Sequence, residues 1–123
     1  MSDLALLSII LLFIDIIYLT FLGGKPFMNM VSKIQKNEAK LNKLSAVVTY
    51  VMMIILMHQF VINKNFTNQK VFLLGFLTYG IFDFTNMALF SKYDIFIAIQ
   101  DTIWGGILFM ITNIIFNRIK YNF

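Results

Sequence analysis

Three aspartates stand inside otherwise apolar stretches of this chain: Asp15 in "FIDIIYL", Asp83 in "YGIFDFTN" and Asp101 in "IQDTIWGGIL". Carboxyl groups in apolar surroundings can carry protons, hold cations, or hydrogen-bond one helix to another. At the centre of a membrane helix each costs roughly 2.5–3.5 kcal/mol, so none is expected to face lipid. Other polar residues share their segments. Tyr79, Asp83 and Asn86 follow helical spacing with Gly75, while Trp104, Gly105, Leu108 and Thr112 share a face with Asp101. Ser8, Leu11, Asp15 and Tyr18 form a third such stripe. Gly75, Gly80 and Gly105 are small enough to let helices approach closely.

The segments holding these residues are long enough to cross a bilayer. A hydrocarbon core needs about 20 mostly apolar residues in a helix. Residues 4–22, 44–62, 71–90 and 95–116 meet that requirement, and their few polar side chains cannot supply the wet face of a soluble helix. The expected fold is all-α: a single membrane domain, 1–123, of four transmembrane helices. The composition agrees, with 59% hydrophobic and 13% charged residues among 123, well below the roughly one quarter charged in soluble domains. The first stretch lacks a basic leader and a small-residue cleavage site, so it is expected to be retained as a span.

Depth brings the acids together. Asp15 and Asp83 lie about seven residues before the first and third connections, and Asp101 about seven after the third, which places all three carboxyls roughly 10 Å below one surface. Thr49 and Tyr50 of the second span reach the same depth. The expected polar cluster is therefore Asp15, Tyr18, Tyr50, Tyr79, Asp83, Asn86, Asp101 and Trp104. No lysine or arginine lies within a span to neutralise it. Carboxylates this close in a low dielectric cannot all ionise, so at least one or two are expected to be protonated.

The first connection, "GGKPFMNMVSKIQKNEAKLNK", is the longest. Gly23-Gly24 is expected to end the first span, and Pro26 suits the opening turn of a new helix. Phe27, Met30, Val31 and Ile34 recur at helical spacing beside Lys33 and Lys36, a pattern that fits either an amphipathic helix on the membrane surface or an irregular basic loop. Loops one and three share a side and carry Lys25, Lys33, Lys36, Lys40, Lys43 and Lys92; the other side carries Lys64, Lys70, Arg118 and Lys120. The positive-inside rule favours the first set in the cytoplasm.

Together the motifs resemble a family of small four-span membrane proteins found mainly in bacteria, the domain of unknown function 2177. Its members read L-D-x-x-W-L, then Y-G-x-[FY]-D-[LF]-T-N-x-A-T-L, then D-x-x-W-G. Asp15, Tyr79, Gly80, Asp83, Thr85, Asn86, Asp101, Trp104 and Gly105 match position by position. The chain departs from the pattern at Tyr18, where Trp is usual, at Phe90 after "MAL", and at "SKYD", where a Trp-Pro pair is frequent. The resemblance implies a four-span membrane protein and carries no activity with it.

Several functions find no support in the sequence. There are no cysteines, hence no disulfides or thiolate sites, and no H-E-x-x-H or phosphate-binding glycine loop. Ser8, Ser32, Ser45 and Ser91 lack a histidine at matching depth, and His58 sits towards the opposite surface, so no catalytic residue is assigned. No cofactor or resident metal is expected, although an oxygen-only metal site built from the three acids is an open alternative. The net charge of +4 is spread over loops flanking the spans, which points to lipid headgroups and away from nucleic acid. The expected partners are the bilayer and, beyond it, further copies or a larger membrane or virion assembly. The expected role is a non-enzymatic structural or accessory component of a cell or virion membrane. The alternatives are a small carrier or channel for protons, cations or a polar lipid that uses the aspartates, and, ranked last, a membrane-embedded lipid-modifying enzyme.

Overall fold

A computed structural model describes residues 2–121. The described chain is helical, with five α-helices: α1 (Asp3–Tyr18), α2 (Gly24–Gln35), α3 (Lys43–Phe60), α4 (Asn68–Leu89) and α5 (Ile95–Tyr121). Four helical stretches are long and apolar enough to cross a membrane: Asp3–Gln35, Lys43–Phe60, Asn68–Leu89 and Ile95–Tyr121.

Side-chain caps set where the helices begin. Ser2 Oγ accepts from the Ala5 amide, Asn42 Oδ1 from Ser45 and Thr67 Oγ1 from Lys70, each satisfying a donor left free in a first turn. Asp94 Oδ1 accepts from the Phe96 amide at 2.7 Å and opens α5 in the same way. Lys36, with φ of 60°, terminates α2 in the left-handed conformation.

Two expected boundaries differ. Gly23-Gly24 does not end the first helix. The backbone continues through a π turn, Leu19–Gly23, in which the Gly24 amide donates to the Leu19 carbonyl, and passes directly into α2. Pro26 has no amide to donate to residue 22, so the wider hydrogen-bond pattern comes just before a donor that an α-helix would lack. α5 also runs past residue 116 to Tyr121, because Lys120 reaches back to Asp3 and Tyr121 hydrogen-bonds Asn63, holding the last turn in place.

α4 and α5 form the tightest pair. A Cβ at Gly75 would collide with the Gly105 carbonyl oxygen and with Phe109, so the two backbones touch where both glycines lie. A Cβ at Gly80 would come within 3.2 Å of Thr102. α1 packs across α5, and α3 rests chiefly on α1. The apolar core, including Leu7, Leu11, Met57, Val61, Leu108, Phe109 and Phe116, fills the half of the bundle away from loop one. A smaller cluster of Met30, Tyr93 and Ala98, with Phe27 and Ile34 against it, attaches α2 to the short α4–α5 connection. Of the two alternatives for the first connection, then, its front half is an amphipathic helix. That helix packs on protein through its apolar face and leaves Lys25, Lys33 and Lys36 exposed.

Candidate functional site

The polar half of the bundle holds two acidic centres. At the first, Asp15 is buried and both its oxygens are engaged: Oδ1 accepts from Trp104 Nε1 at 2.8 Å, and Oδ2 accepts from the Tyr50 hydroxyl. One carboxyl thus joins α1, α3 and α5. Tyr18, one turn after Asp15, stacks flat on Trp104 with ring centroids 4.2 Å apart and planes 4° from parallel. Its hydroxyl accepts from Gln100 Nε2 at 3.2 Å. Gly23 leaves room for that ring, since a Cβ there would overlap Tyr18.

The second centre lies between α4 and α5. Asp83 is fully buried, and its Oδ1 accepts from the Tyr93 hydroxyl at 2.7 Å. Its Oδ2 has no hydrogen-bond donor. The Asp101 carboxyl lies against that of Asp83, within hydrogen-bonding reach. Two carboxyls so placed share a proton more readily than they carry two charges. Asn86 is beside the Tyr93 hydroxyl. Tyr93 is in the connection after α4, where burial and then the Asp83 hydrogen bond push its phenol above the ordinary tyrosine range.

Both centres border one cavity of about 580 Å³ at the loop-one end. Asp15, Asp101, Tyr18, Tyr50, Tyr79 and Trp104 contribute to its polar side, and among the described residues no lysine, arginine or histidine lines it. α2 closes one end with Gly24, Phe27 and Met28. The rim includes Leu19, Leu41 and Phe82, which are 41%, 67% and 52% exposed, so the mouth is apolar. Tyr79 packs its ring on Gly105 and edge-on to Phe109, and its hydroxyl contacts Met53 Sδ at 3.7 Å.

All eight residues expected in the polar cluster occupy this half of the bundle, and all three carboxyls lie within electrostatic range of the Tyr18 hydroxyl. Their hydrogen bonds divide into two sets. Asp15 has its own donors, and Asp83 and Asp101 face each other. Among the described residues no group of three His, Cys, Asp or Glu side chains is placed to hold a metal ion, so the three acids do not converge as one ligand set. Tyr93 and Gln100 are additions that depth and periodicity within the spans did not indicate. The available signal was the loop string "SKYD", with its phenol close to the membrane edge. Ser8 and Ser32 donate their hydroxyls to carbonyls of their own helices.

Long apolar helices surrounding an acid-lined cavity are the architecture of a helical membrane protein. The chain belongs to the family described as predicted membrane protein (DUF2177), whose model matches residues 2–116. No curated protein matches the chain, and no solved structure does either.

Proposed function

We propose that this protein is a non-enzymatic, multi-pass membrane component that binds the polar end of an amphipathic molecule in the cavity between α1, α3, α4 and α5. The observation that carries the proposal is the cavity itself, with an apolar rim, mostly apolar walls and a polar side built from Asp15, Asp101 and their aromatic neighbours. That combination matches the usual chemistry of small-molecule sites, concave and apolar with a few placed polar groups. The lysine-rich loop-one side is assigned to the cytoplasmic face, or to the corresponding face of a virion membrane.

The test is binding to purified protein in a neutral detergent, read by native mass spectrometry as retained amphiphile. Ala46→Phe fills the cavity from α3 without touching a carboxyl. It is expected to weaken retention at least tenfold while the unfolding temperature stays within a few degrees. Retention unchanged by this substitution would sink the proposal.

A purely structural clamp is the second proposal, and Asp15 favours it, since its two oxygens are spent on Tyr50 and Trp104. The two roles divide between the centres: Asp15 holds helices, and Asp101 faces the cavity without an N–H donor of its own. If Asp101→Asn left ligand retention unaltered and lowered only stability, the clamp would account for both centres.

A further inference from the structure

We infer that the cavity selects a cationic head, specifically the protonated amine of a long-chain amphiphile; this rests on the amphiphile-binding role proposed above. Charge complementarity carries the inference. Asp15 and Asp101 line the cavity, and Asp83 stands directly behind Asp101. Among the described residues no cationic side chain lines the space. The one ion pair among the described residues, Lys120 with Asp3, involves a different acid. One proton shared between Asp83 and Asp101 leaves that pair a net negative charge, and no lysine, arginine or histidine among the described residues lines the cavity to offset it. An anionic head would be repelled. A neutral hydroxyl head would gain a hydrogen bond but leave the charge in place.

An ammonium group answers both needs. It donates up to three hydrogen bonds, and Asp101 lines the cavity with its carboxyl held only by the neighbouring Asp83 carboxyl. Tyr18, Trp104, Tyr50 and Tyr79 contribute aromatic rings to the same cavity, and such rings attract cations through their quadrupoles. Behind the head, the exposed apolar rim at Leu19, Leu41 and Phe82 gives an alkyl chain a path towards lipid.

Trp104 is the only tryptophan in the sequence and lines the cavity, so its fluorescence reports occupancy without a label. The probes are dodecylamine, dodecanol and dodecanoate, titrated into the full chain in a neutral maltoside detergent near neutral pH. Dodecylamine is expected to shift Trp104 emission at concentrations at least tenfold below dodecanol, with dodecanoate weakest. Asp101→Asn is expected to bring the amine and the alcohol within about threefold of each other, with alcohol binding retained. Equal responses to amine and alcohol in the unaltered protein would overturn the cationic head and leave amphiphile binding standing. If none of the probes shifted Trp104, and retention by mass spectrometry were also absent, both proposals would fall. A preference for amine that survived Asp101→Asn unchanged would overturn the role of that carboxyl and the inference with it.

Discussion

The two ends of this bundle treat aspartate in opposite ways. At the end opposite loop one, Asp3 is partly exposed and meets Lys120 at 2.7 Å, with Asn63 donating to the same oxygen at 3.0 Å. There a carboxylate has a cation, an amide and solvent. At the loop-one end, Asp15, Asp83 and Asp101 have phenols, an indole and one another. A charge partner suffices where water helps. Where water is excluded, the neutral donors must be placed by several helices at once, so the buried end is specific in geometry and the exposed end is not.

The contrast is most easily broken at Asp15. Asp15→Ala strands the Tyr50 hydroxyl and Trp104 indole and is expected to cost about 3 kcal/mol, read as a fall in unfolding temperature in detergent. Asp15→Asn should recover part of that loss, because an amide oxygen still accepts one of the two bonds. Gly75→Ala strikes both ends through the α4–α5 contact. Its methyl meets the Gly105 carbonyl and Phe109, and about 2 kcal/mol of destabilisation is expected by the same assay. Tyr93→Phe removes the hydroxyl on Asp83 and should cost about 1 kcal/mol, with faster amide exchange in the 91–94 connection. Asp3→Asn should have the smallest effect, and raising the salt concentration should erase it. An Asp3→Asn loss as large as that of Asp15→Ala would dissolve the comparison.

How much of this could be foreseen differs between helix interiors and connections. The four apolar helices follow from hydropathy and length, and the family shown by the comparison is the one the motifs resemble. Depth along a helix follows from counting residues, which is why Asp15, Tyr50, Asp83 and Asp101 fall in one half of the bundle. Pairing does not follow from depth. Whether Asp83 faces Asp15 or Asp101 depends on the close α4–α5 approach at Gly75 and Gly105, a contact set in three dimensions. Tyr93 was hidden because its loop has no periodicity to place a side chain. Against the family pattern, Tyr18 and "SKYD" stand only as departures. In the structure both supply hydroxyls at the polar end, Tyr18 to Gln100 and Tyr93 to Asp83.

The π turn at Leu19–Gly23 has a rotational consequence. Each α-helical residue advances about 100° around the axis, so one additional residue in a turn offsets everything after it by about that angle. α1 and α2 therefore run as one rod with two faces set at different bearings, one addressing α5 and the other the α4–α5 connection. Deleting Thr20 would restore an unbroken α-helical count and turn Phe27, Met30 and Ile34 off Tyr93 and Ala98. The five residues of that turn act as a spline, fixing the angle at which the cavity is closed.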